Sequence, residues 1–146
     1  MSFVSGSSNT KDHEAEEYLL DGDPSTKWCG DFRDGFENYV IFTAGGPSVL
    51  TSYTLTTGGD TGTDGHYVRN WTEWTIYGSN SPDGGWVEIN HETGVELPNG
   101  SNEISKPFTV VSRTPYRYSK LEVNAVRAAN FGSQQMADGD TIGGRD

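Results

Sequence analysis

Apolar and polar positions alternate with a period of two in several runs along this chain. Over 49–57, Tyr53 and Leu55 share one face and Thr54 and Thr56 the other. Over 72–79, Trp74 and Ile76 oppose Thr75 and Tyr77, and over 116–126 Leu121, Val123 and Ala125 fall on one side. Successive side chains of a strand point to opposite faces, so each run predicts a half-buried strand. Shorter apolar runs at 38–43, 86–89 and 104–111 predict further strands, the first ended by Gly45-Gly46-Pro47. No long stretch has the 3.6-residue period of an amphipathic helix. The pattern predicts an all-β, antiparallel sandwich or barrel. Three connections are long for such a fold, at 58–70, 91–103 and 127–134, and long loops on a rigid scaffold are where binding residues usually sit.

The length of 146 residues suits one domain. We expect a core over 18–138, a polar lead-in at 1–17 forming an edge or irregular segment, and a linker-like tail at 139–146. Bulk places Trp28, Trp74 and Trp86 in the core, while Trp71, beside a long loop, is open between core and ligand wall. The formal net charge of −11 repels polyanions, and no basic cluster offsets it. Nucleic acid and anionic membrane are therefore excluded as expected partners. The single Cys29 rules out an intrachain disulfide. No apolar run is long enough to span a bilayer, so no membrane insertion is expected. The first residues carry neither the charged nor the apolar region of a secretion signal. They suit a cytoplasmic protein or an excised piece of a longer secreted one.

One turn offers metal chemistry. Asp21, Asp23 and Thr26 lie within six residues, on a loop bent by Gly22 and Pro24. Hard cations take six to eight oxygens from carboxylates, hydroxyls and carbonyls, so the turn is either a cation site or only a turn. Enzyme motifs are missing: there is no phosphate-binding glycine loop, nucleophile elbow or metalloprotease helix. His13, His66 and His91 lack the spacing of a catalytic zinc site. The expectation is a binding domain and not an enzyme.

The segments Leu19-Leu-Asp-Gly-Asp-Pro-Ser-Thr-Lys-Trp28, Tyr53-Thr-Leu-Thr-Thr57, Arg69-Asn-Trp-Thr-Glu-Trp-Thr-Ile-Tyr-Gly-Ser-Asn80, Tyr116-Arg-Tyr-Ser-Lys-Leu-Glu-Val123 and Gln135-Met-Ala-Asp138 together resemble the coagulation factor 5/8 type C, or discoidin-like, domains. The likeness is greatest to their bacterial branch, the family-32-type carbohydrate-binding modules. The resemblance implies a jelly-roll β-sandwich of about eight strands with one structural calcium. Its ligands would be Tyr18 and Ala137 through their carbonyls, Asp21 and Thr26 through their side chains, Asp23 through either, and Asp138 as the closing carboxylate. The family usually has Glu at that last position, one methylene longer.

The resemblance also implies a glycan site on the loops at one end. The loop 58–70 carries Asp60, Asp64, His66, Arg69 and Asn70, residues able to donate to and accept from sugar hydroxyls. Phe131, before the last strand, would pack on the apolar face of a pyranose, with Phe32 and Tyr67 adding to the wall. The expected function is non-catalytic recognition of a terminal or short glycan, galactose-type in preference. The module would be a monomer tethered to a larger, glycan-degrading protein, extracellular or at the cell surface. The alternative is a discoidin-type adhesion module that binds a protein or cell surface.

Overall fold

The computed structural model describes residues 1–8, 10, 14–23, 25–32 and 37–138, with Ala137 and Asp138 described by their backbone alone. Asp12, His13, Pro24 and the tail at 139–146 lie outside the described residues. Nine strands are present among those described: β1 (Ser2–Gly6), β2 (Trp28–Asp31), β3 (Tyr39–Ser48), β4 (Ser52–Thr57), β5 (Trp71–Ser79), β6 (Val87–Glu92), β7 (Phe108–Thr109), β8 (Tyr116–Val126) and β9 (Phe131–Asp138). Two 3-10 helices, Glu16–Leu20 and His66–Arg69, interrupt the connections. One sheet runs β1-β3-β8-β5-β6 and the other β2-β9-β4-β7. Every strand pair is antiparallel. The two sheets pack face to face as the predicted β-sandwich.

The alternating runs form the inner faces. Tyr53, Leu55, Trp74, Ile76 and Leu121 are fully buried and share one core with Trp28, Trp71, Phe42 and Met136. β8 has the predicted bounds, 116–126. Two predictions are corrected. The run 104–111 yields only the two-residue β7, because Pro107 removes a ladder donor just before it. β3 continues through Gly45-Gly46-Pro47, where its pairing with β8 slips between Thr43 and Ser48. The lead-in supplies β1, an edge strand with its own irregularity between Phe3 and Ser5.

Burying these aromatic rings creates a polar problem, since each indole N–H must find an acceptor or go without, as those of Trp28 and Trp71 do among the described residues. Trp74 Nε1 donates to the Tyr53 hydroxyl across the two sheets, at 2.6 Å. That hydroxyl donates in turn to Asn90 Oδ1 of β6, at 2.5 Å. Burial keeps the Tyr53 phenol well above its usual pKa, so it stays a donor throughout the working pH range. Trp28 and Trp71 meet edge to face, with ring centroids 5.5 Å apart, and Trp71 leans on β9 at Gly132. A Cβ there would lie 2.8 Å from the indole, so only glycine admits the ring.

Tyr53→Phe keeps the ring and orphans the buried Trp74 N–H. It should cost about 1–3 kcal/mol in urea denaturation, with an unchanged dependence on denaturant. A variant as stable as the parent would show that the cross-sheet relay contributes nothing.

Candidate functional site

The loop 58–70 leaves β4, turns back at Asp64 and Gly65, and enters the short helix His66–Arg69. Asp64 and Gly65 both take positive φ, 50° and 76°, which reverses the chain in two residues. The loop then feeds β5. Two neighbours hold its final turn. Arg127 N donates to Asn70 O at 2.9 Å, and Ala128 N donates to Val68 O at 3.0 Å. Phe32 N donates to Asn130 O, and Asp31 pairs with Phe131. These backbone bonds place the 69–70 turn and the Phe32–Phe131 end of the β2–β9 pair on either side of the connection 127–130.

Their roles differ. Asn70, expected among the ligand contacts, is only 2% exposed. Its amide donates to Pro98 O at 2.8 Å and so ties the loop 58–70 to the loop 93–107. That tie occupies the amide nitrogen, while Asn70 Oδ1 has no partner among the described residues and Asn70 lines a cleft with Arg127. Phe32 is half-buried and packs against the core. Phe131 is also half-buried, and it opens β9 instead of standing in the loop before it. Arg69 is half-buried and Asp64 exposed.

Asp60 and His66 face another direction, toward the start of β2. Lys27 Nζ lies 2.7 Å from Asp60 Oδ1 and 3.1 Å from Glu14 Oε2, and His66 Nδ1 lies 3.3 Å from Asp60 Oδ2. Burial alone would raise the Asp60 pKa, but the Lys27 hydrogen bond and charge, with His66, outweigh it and hold the carboxyl below its usual range. Lys27 was not among the expected site residues. The carboxylate it anchors belongs to the same surface as the acidic turn, in a cleft of about 340 Å³ that includes Tyr18, Thr26 and Gly59.

The acidic turn closes on β9, but through an unexpected residue. Gln135 Nε2 lies 2.7 Å from Asp21 Oδ1, 2.5 Å from Asp23 O, 3.4 Å from Tyr18 O and 3.5 Å from Thr26 Oγ1. Oxygens of all four expected residues of the turn therefore converge on one point. The choice left open at Asp23 falls to its carbonyl, because its carboxylate accepts from Ser25 N and Oγ. On β9, Ala137 pairs with Thr54 and Asp138 with Tyr53, whereas Gln135 pairs with Thr56. Asp138 is thus three positions along the strand, about 10 Å from the residue that reaches the turn.

A concavity of about 490 Å³ lies beside the predicted loop, between 95–99, 104–106, Phe108 and Arg127. Arg127 Nη1 donates to Asn99 Oδ1 at 2.9 Å, and its guanidinium carbon sits 4.8 Å from the Tyr67 ring centroid. Tyr67 is expected in the wall, whereas Arg127 and Asn99 are not among the expected ligand residues. No spacing joins positions 67, 99 and 127, and only the fold brings them together.

No family model matches the sequence, and no curated protein does. The solved structures do match. The fold is that of the family 32 carbohydrate-binding modules. The family 32 module of Clostridium perfringens NanJ, solved in complex with galactose, superposes with a TM-score of 0.66 at 18% identity, covering 90% of this chain and 88% of that one. An F5/8 type C domain from Bacteroides fragilis gives 0.69 at 15% identity, with 92% and 93% covered. A chitosan-binding module from a Paenibacillus chitosanase/glucanase gives 0.64 at 18%, with 90% and 89% covered.

The Lys27–Asp60 pair makes stability depend on pH with a definite sign. Asp60 has a depressed folded pKa, so its contribution is full above the unfolded value of about 3.9 and disappears as pH falls through the folded one. Glu16, whose pKa burial raises, has the opposite slope. Comparison with Asp60→Asn cancels Glu16, which both proteins share. The parent should lose more of its Tm between pH 5 and pH 2 than the variant does. Parallel curves would remove Asp60 from the balance.

Proposed function

We propose that this domain is a non-catalytic carbohydrate-binding module that holds a terminal or short glycan, galactose-type in preference, at the loop end of the sandwich. The observation that carries the reading is the Arg127–Asn99 pair lining the 490 Å³ concavity, with the Arg127 guanidinium stacked on the Tyr67 ring. Sugar recognition needs planar donors for paired hydroxyls and an aromatic face for the C–H face. The guanidinium stacked on Tyr67 is held in one orientation, and Glu96 supplies an acceptor in the same concavity. Lining of this kind, open to solvent, suits binding in the millimolar to micromolar range, about −4 to −8 kcal/mol. Tethering to a glycan-degrading protein outside the cell makes such affinity useful through effective concentration. The solved module from a chitosanase/glucanase is a precedent for that arrangement.

Arg127→Ala should abolish binding in calorimetric titration with galactose and chitotriose while leaving the melting curve within about 2 °C. Arg69→Ala should bind as the parent does. The reverse result would place the glycan on the far side of the 58–70 loop.

A structural calcium is the second part of the proposal. The donor set suits a hard cation: a carboxylate from Asp21, carbonyls from Tyr18 and Asp23, and the Thr26 hydroxyl. An amide nitrogen carries two protons and cannot serve four acceptors at once. The same amide, turned over, would present Oε1 as a fifth oxygen. Bound there, calcium would supply charge to tie the opening turn to β9. It would have no part in ligand chemistry. Excess chelator should then lower the Tm by about 5 °C or more, and Gln135→Glu should enlarge that drop, since a carboxylate cannot donate to Asp21 in the metal's absence. Melting that is indifferent to chelator in both proteins would leave the amide alone as the tie.

A further inference from the structure

The outer face of the five-stranded sheet should be polar, because the other face is taken by the core. Around Lys120 it is not. Register places Ile41 and Tyr77 on either side of Lys120, with Tyr39 and Glu122 paired next to them. Trp86, expected in the core, stands at the foot of β6 and joins this outer group. Lys120 Nζ lies 5.0 Å from the Tyr77 ring centroid, 5.2 Å from that of Trp86 and 5.5 Å from that of Tyr39. Ile41 is only 5% exposed although it is not part of the main core. It forms the floor of a concavity of about 370 Å³ with Tyr39, Trp86 and Lys120, and Glu37 and Glu122 stand at its rim.

We propose that this concavity is a second glycan-binding site, on the sheet face, that takes a neutral pyranose against Trp86 with the Lys120 ammonium and the rim carboxylates bonded to its hydroxyls. Charge selects the class of ligand. The aromatic cage already holds an ammonium of the chain itself, so an external cation would have to displace it. The rim carboxylates, in a domain of net charge −11, repel an anionic sugar. A neutral ring needs neither change: its C–H face covers indole, and its hydroxyls accept from Lys120 and donate to carboxylates. Burial, with the Glu122 and Glu88 carboxylates, raises the Tyr77 pKa, so its hydroxyl also remains a donor. The site belongs to the sheet face and not to the loops, and it rests on the domain's reading as a glycan binder only for the choice of ligand.

The test is a residue-resolved NMR titration with galactose, chitotriose and cellohexaose. The expected result is that at least one of them shifts the Trp86 indole N–H together with the backbone of Tyr77 and Lys120. Those shifts should saturate at a different concentration from any at Tyr67 and Arg127. Trp86→Ala should weaken the sheet-face response about tenfold or more and spare the loop end. Lys120→Met, which keeps the stem over Ile41, serves as a second variant if the first fails to fold, and it should weaken the same response. Shifts confined to the loop end would overturn the sheet-face site and leave the loop reading standing. Shifts confined to the sheet face would do the opposite. Silence at both with all three sugars would overturn both.

Discussion

The hydrogen-bond relay from Trp74 through Tyr53 to Asn90 crosses the centre of the sandwich, where Trp28 and Trp71, also buried, leave their indole nitrogens without a partner among the described residues. It joins β5 and β6 of one sheet to β4 of the other, and so fixes their separation and register together. The rest follows from it. β8 lies beside β5 and carries Arg127 just past its end. β9 lies beside β4 and delivers Gln135 to the acidic turn. A slip of one residue in either sheet would turn a core face outward and scatter both sites.

The fold was legible because one face of most strands is apolar and the other polar. β8, eleven residues long, alternates clearly over 120–125 and has the bounds its sequence predicts. β2 was not, because Trp28, Cys29, Gly30 and Asp31 are all buried and show no alternation. Its neighbour in sequence is a strong turn, which masked it further. β3 runs past a Gly-Gly-Pro that reads as a stop, since its irregular pairing there needs few ladder donors.

The sites were legible only where chemistry is local. Asp21, Asp23 and Thr26 lie within one turn, and their convergence could be anticipated. Gln135 could not, because it lies 114 positions from Asp21 and only the pairing of β9 brings it to the turn. Arg127, Asn99 and Tyr67 are far apart in sequence, and no spacing rule joins them. Trp86 was assigned by bulk. Hydrophobicity shows that a ring will be covered, but not whether the protein or a ligand will cover it.

The edges of this sandwich have a consequence for how copies behave in a crowd. An open sheet edge is a template for pairing with the next molecule. Here β1 is kinked between Phe3 and Ser5, β7 offers two residues, and β6 carries Glu88 and Glu92 along its free side. Among the described residues no edge strand, β2 included, is longer than six residues, and the net charge of −11 keeps copies apart. Many copies brought to one polymer would therefore sit side by side as separate particles and not knit into fibres.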